Sequence, residues 1–221
     1  MESQAAQYQR YAQLSKYLAV CGMLAPLALI AFVLIGASFT PGYSHITDTM
    51  SKLAAIGAPH PEWMNAGFIS YGILMIGLSL AVRQCLPNRT GSTIVWILIA
   101  FHGLTITLAV VFPYDLSILD GIHSPEGILH HLVTIMSCVA FIIGILIMDR
   151  IVTAEPEWRN ITIISFFVVS VICVLFVFSL FPVAREIEGL MQRVSALAMI
   201  IYIEALSIRC FILSTVTASN C

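Results

Sequence analysis

The sequence predicts an all-α integral membrane protein: six transmembrane helices in three hairpins, both termini inside, and a short amphipathic helix in the first outer loop. Three observations lead there. Of 221 residues, 59% are hydrophobic and only 10% charged, at a mean hydropathy of +0.96. A soluble domain carries about 25% charged residues. Six stretches supply the roughly 20 apolar residues that cross a hydrocarbon core of about 30 Å: 17–38, 66–82, 93–112, 128–148, 161–181 and 191–215. The basic residues are also one-sided. With the N-terminus inside, Arg10, Lys16, Arg83, Arg89, Arg150, Arg159 and Arg209 lie inside, against Lys52, Arg185 and Arg193 outside. The excess of Lys and Arg in inner segments sets the orientation.

Residues 1–16 form a polar segment, and 17–215 a single transmembrane domain followed by a short tail, 216–221. The first span is too long for a signal h-region and has no convincing cleavage site, so it is read as retained. The loop 39–65 is long for a connection, and long ordered loops tend to carry function. Pro41-Gly42 opens it and Gly57-Ala58-Pro59 breaks it. Between them Ile46, Met50, Leu53 and Ile56 recur at helical spacing opposite Asp48, Thr49, Ser51 and Lys52. That pattern predicts a short amphipathic helix that lies at the membrane surface or caps the bundle as a lid.

The second span carries Gly67, Gly72, Gly77 and Ala81, small residues that let a neighbouring helix approach closely. Asn65 and Asn160 are candidate N-caps, and Trp63, Trp96 and Trp158 mark span mouths. A repeat follows in the second half. Phe112-Pro113 ends the third span and Glu126-Gly127 precedes the fourth; Phe181-Pro182 ends the fifth and Glu188-Gly189 precedes the sixth. The alignment makes His130/His131 and Gln192/Arg193 equivalent at the outer mouth.

Net charge of −2 gives no reason to expect a nucleic-acid partner. None of the six cysteines lies in an outer loop, where disulfides would be permitted, and no spacing suggests a zinc finger. Two glycosylation sequons, at Asn88 and Asn160, fall on the inner side and read as chance.

Histidine is concentrated on the outer side. His45, His60 and His123 lie in loops, and His130 and His131 at a helix mouth; His102 alone is inside a span. The same side holds Asp48, Glu62, Asp115, Asp120, Glu126, Glu186 and Glu188. Polarity gathered at one membrane face marks where a site should be sought.

The run Pro41-Gly42-Tyr43-Ser44 with Asp48 and Ser51, then Gly57-Ala58-Pro59, Asn65-Ala66-Gly67-Phe68 and Gly72, forms one recognisable series. Phe112-Pro113 with Asp115, a histidine opening the fourth span, and Gly189-Leu190 with Gln192-Arg193-Val194 complete it. Together these resemble the prokaryotic membrane family catalogued as domain of unknown function 998, from about residue 17 to 215. The resemblance implies a multi-pass protein of the prokaryotic plasma membrane with six helices. It carries no activity over.

Three functional readings follow from the residues. The first in rank is non-catalytic: a lipid- or small-molecule-binding or accessory envelope component, with membrane lipid and other membrane proteins as partners. The second is a membrane-embedded metal-dependent hydrolase. Neutral imidazoles and carboxylates suit zinc, which activates water. The candidate ligands are His45, Asp48, His123, His130 and His131, and the catalytic candidates His45, Asp48, Ser51 and Asp115. No HxxxH or HExxH pair is present, and adjacent His130 and His131 point about 100° apart on a helix. The third is a small transporter built on ionisable groups within the membrane, which usually face the bundle interior: His102, Glu204, Arg209 and Arg193, with an internal Glu204–Arg209 pair one expectation. Bis-histidine haem is disfavoured, because His102 and His130 differ in depth by roughly 10 Å.

Overall fold

The computed structural model describes residues 4–87, 90–115 and 124–219 of the chain. Among them there is no strand. Six helices carry the fold: α1 (Gln4–Ser38), α2 (Pro61–Cys85), α3 (Thr90–Leu108), α4 (Pro125–Val152), α5 (Arg159–Phe178) and α6 (Glu188–Ser219). All six are long and apolar enough to cross a membrane.

The ends differ from the sequence expectations in instructive ways. Helix α1 continues through the polar N-terminal segment without a break, and Pro26 sits within it. Prolines are tolerated in membrane helices because neighbouring groups re-satisfy the freed carbonyl. Neither asparagine caps a helix: α2 starts four residues before Asn65, at Pro61, and Asn160 lies inside α5. Proline at the first helical position costs no hydrogen bond there, so Pro61 and Pro125 start α2 and α4. Ser124 caps α4, accepting from the Gly127 N–H at 3.1 Å.

Neighbours in space follow neighbours in sequence from α1 to α6, and α6 returns to pack along α1. Helix α2 is the most enclosed, touching α1, α3 and α6. Its glycines explain the close fit. A Cβ on Gly72 would run into the Gly103 carbonyl of α3, and one on Gly103 would lie 2.6 Å from the Gly72 carbonyl. Gly77 packs against Cys21 of α1, where an added Cβ would sit 2.9 Å from the Cys21 Cβ. The small-residue face read in the sequence is therefore a packing face. Helix α5 is the opposite case: Phe166, Val174, Phe176 and Leu180 on it and just beyond it stand exposed, as apolar side chains facing lipid do.

The lid is real, but it is not the amphipathic helix expected. Backbone turns run through 44–48, followed by a single 3-10 turn, Met50–Ala54. The reason lies in the burial pattern. Leu53 is only 1% exposed and plugs the bundle with Ala54 against Val33, Met64 and Phe68. Ile46 and Ile56, which would complete a helical apolar stripe, are both more than half exposed. Burying Leu53 contributes about 1.5–3 kcal/mol relative to leaving it in water. At both ends of the lid a glycine takes a backbone conformation that other residues rarely adopt, φ 75° at Gly42 and 80° at Gly57.

A candidate site beneath the lid

Beneath the lid lies a cavity of about 190 Å³ with mostly apolar walls. Met50 and Ser51 of the lid line it, as do His130 at the top of α4 and His102 of α3. The sequence treated His102 as a separate mid-membrane question, yet it opens on the same space as His130.

His130 is 2% exposed. Its Nδ1 lies 2.8 Å from the Phe112 carbonyl, and a carbonyl only accepts, so Nδ1 carries the proton. Nε2 is then an acceptor, and the Ser51 hydroxyl donates to it at 3.0 Å. Helix geometry sends the adjacent His131 outward, where it is exposed with its ring edge-on to Tyr114 at 5.6 Å. His102 is arranged in the same manner deeper in the bundle. Its Nδ1 faces the carbonyl and hydroxyl of Ser137 at 3.2 and 2.8 Å, and its Nε2 accepts from the Tyr71 hydroxyl at 2.9 Å. Both imidazoles are thus held as single tautomers.

Two of these partners were missed by sequence reasoning. His130, Thr134 and Ser137 fall at i, i+4 and i+7, one polar stripe on α4, and all three line the cavity. That spacing was the available signal. Tyr71 had none beyond its type, because a tyrosine inside a span reads as core.

The lid is fastened chiefly by α6. The Gln192 side-chain oxygen accepts from the Met50 N–H at 2.6 Å, and the Leu190 N–H donates to the Ile46 carbonyl at 2.9 Å. Arg193 donates from Nη1 to the Asp48 and Gly189 carbonyls, both at 2.8 Å, and from Nη2 to the Tyr43 hydroxyl at 2.5 Å. On the α3 side the Ile56 N–H donates to the Tyr114 carbonyl at 3.0 Å. Of the two sequence pairs read as equivalent, Gln192 and Arg193 both reach the lid, whereas of His130/His131 only His130 does.

The remaining candidates are placed as follows. His45 and Asp48 do not meet as a pair. The Asp48 carboxylate accepts from Lys52 Nζ at 2.5 Å and from the Ser44 N–H at 2.8 Å. Burial works to raise its pKa, but Lys52, the Ser44 N–H and the Arg193 charge outweigh it and hold the carboxyl below its ordinary value. His45 is exposed, edge-on to Tyr43 at 5.3 Å; partial burial and the Arg193 charge lower its pKa. Burial raises the Tyr43 phenol against the opposing pull of Arg193. Asp115 is half-buried and, after burial and Glu188, helps to raise the Tyr114 phenol. His60 sits at the start of α2, 3.0 Å from Glu62. His123 and Asp120 lie outside the described residues.

The expected Glu204–Arg209 pair is not formed. Arg209 donates to Glu157 at 2.9 Å, since Glu157 lies in the turn entering α5 and Arg209 on the facing part of α6. Tyr202 donates to the Met148 sulfur at 3.3 Å and leaves Glu204 half-buried elsewhere on α6. Among the described residues no group of three His, Cys, Asp or Glu is placed to hold a metal ion.

Residues 23–209 match the family described as "Protein of unknown function (DUF998)". The chain belongs to the DUF998 family. The match runs from α1 through the lid and cavity to the last third of α6, so it takes in every residue of the site just described. No curated protein and no solved structure matches this DUF998 chain.

Proposed function

We propose that this DUF998 protein binds an acyl lipid, with a length of acyl chain in the cavity and its polar end beneath the lid. The observation that supports the reading is the make-up of the cavity. Its walls include Leu29, Phe68, Ile106, Met199 and Ile200, while its polar groups include Ser51, His130 and Gln192 under the lid and His102 with Tyr71 and Ser137 farther down. Binding sites with apolar walls and a few convergent polar groups hold ligands by area and orient them by hydrogen bonds. A lipid already resident in the membrane reaches such a site without crossing water.

In this reading the lid faces outward and both termini face the cytoplasm, in the plasma membrane. The seven basic residues of the inner segments support that orientation. A cysteine introduced at exposed Thr47 reacts with a membrane-impermeant maleimide on intact cells if the lid is outside, and only after lysis if it is not.

Lipid extraction from purified protein, read by mass spectrometry, tests the binding. Wild type carries acyl lipid after detergent exchange. The substitution Ala196→Trp, which fills the cavity from α6, removes it. A lipid-free wild type, or an A196W protein that retains as much lipid as wild type, overturns the reading.

A further inference from the structure

We propose that Ser51 and His130 are a nucleophile–base pair that hydrolyses an ester of the bound acyl group. The proposal rests on the acyl-binding reading above and adds a reaction to it. A serine activated for attack needs a base at hydrogen-bond distance, and that base needs a third group to fix its orientation. All three are present. Ser51 Oγ lies 3.0 Å from His130 Nε2, and His130 Nδ1 lies 2.8 Å from the Phe112 carbonyl. This carbonyl takes the orienting position that a carboxylate occupies in a Ser-His-Asp triad. The residues come from three separate segments, the lid, the top of α4 and the chain leaving α3, so the fold alone assembles them.

Two further features fit. Ser51 and His130 are 6% and 2% exposed, yet both line the cavity, so the hydroxyl is shielded from bulk water and open to a bound chain. Gln192 lines the same cavity. Its side-chain oxygen is held by the Met50 N–H, which leaves its NH₂ group as a donor beside the Ser51 turn. A donor there can stabilise the oxyanion of a tetrahedral intermediate.

The chemistry closes without a metal. Ser51 Oγ attacks the ester carbonyl carbon and its proton passes to His130 Nε2. The bond from that carbon to the alcohol oxygen breaks, and the alcohol leaves with the proton from Nε2. Water then attacks the acyl-Ser51 ester and gives a proton to Nε2, which returns it to Ser51 Oγ as the carboxylic acid departs. The sum is ester plus water to acid plus alcohol. A neutral carbonyl stabilises the transient imidazolium less than a carboxylate does, so turnover is slow and covalent trapping is the sharper assay.

The test uses full-length protein in detergent and an alkyl fluorophosphonate, which labels activated serines. The Ser51 oxygen bonds phosphorus, the P–F bond breaks, and fluoride leaves with the proton taken by His130. Peptide mass spectrometry of the wild type is expected to place the adduct on Ser51. Labelling is lost in Ser51→Ala and falls at least tenfold in His130→Gln, while co-purified lipid is measured on the same samples. An adduct on another serine, or labelling undiminished in S51A, overturns the proposal. Wild type that retains lipid and takes no label overturns the hydrolase and leaves acyl binding standing. Wild type with neither overturns both. Because the wild-type adduct is mapped directly, the result does not depend on whether a variant folds.

Discussion

The Arg193 guanidinium donates to the Tyr43 hydroxyl at 2.5 Å, joining the opening of the lid to the first turns of α6. The same group holds the Asp48 carbonyl, so one side chain spans the first half of the lid. Hydrogen bonds from charged groups are worth about 1.5–3 kcal/mol each. Arg193→Ala is expected to loosen the lid and expose Lys52 to trypsin, with cleavage after Lys52 accelerating several-fold. Arg193→Lys rescues little, because an ammonium cannot reproduce the planar fork. Full protection of the R193K protein would show that charge alone holds the lid.

Acid should loosen the same element from the other side. The Asp48 carboxyl is held below its ordinary value, so its contribution is complete above about pH 4, the unfolded value. It is lost as pH falls through the lower folded value. Hydrogen exchange in a peptide covering residues 43–56 is expected to rise below about pH 4. Asp48→Asn removes that pH dependence and exchanges faster already at pH 7. An unchanged profile in D48N would assign the acid effect to another group.

Deep in the bundle, Tyr71→Phe removes the donor to His102 Nε2 and leaves a buried acceptor unpaired. Such a loss costs about 1–3 kcal/mol. The unfolding midpoint in detergent should fall, and Ser137→Ala should act in the same direction through Nδ1. A Y71F protein as stable as wild type would mean that a water replaces the hydroxyl.

The crossing of α2 and α3 makes a steric prediction. Gly72→Ala places a methyl group against both the Thr107 hydroxyl and the Gly103 carbonyl, and the carbonyl, being backbone, cannot swing away. Overpacking of this kind costs about 1–3 kcal/mol. Gly144→Ala is the control, because its added Cβ would meet only the Leu98 side chain at an ordinary 3.5 Å. Equal stability of the two proteins counts against the paired-glycine contact.

How much of this was legible beforehand follows from what each signal depends on. Helix number came through because apolar length is a local property, and Gly72 and Gly77 were read as packing because small size has few other uses in a membrane helix. The ordered loop was read from Pro41-Gly42 and Gly57, but its helix is shortened to the 3-10 turn Met50–Ala54. Periodicity at Ile46, Met50, Leu53 and Ile56 says nothing of whether there is a surface to cover all four. Ser51 and His130 were both candidates, yet their pairing spans 79 positions and depends on how α4 meets the lid. No local pattern encodes that. The Glu204–Arg209 expectation failed for the complementary reason: nearness along one helix was outweighed by Glu157 arriving from another element.

The bonds that fasten the lid also set an order of assembly. The lid segment lies between the first two helices, but its fasteners Leu190, Gln192 and Arg193 belong to the last one. Synthesis runs from the N-terminus, and domains generally fold in that order. Leu53 can dock on α1 and α2 early, but the α6 fastening of the loop must wait until nearly the whole polypeptide has been made and α6 inserted. A chain stalled before its final helix would carry both Ser51 and His130 with no clasp to hold them in register. Completion of the cavity is thus a late event in biogenesis, and an unfinished protein is an open one.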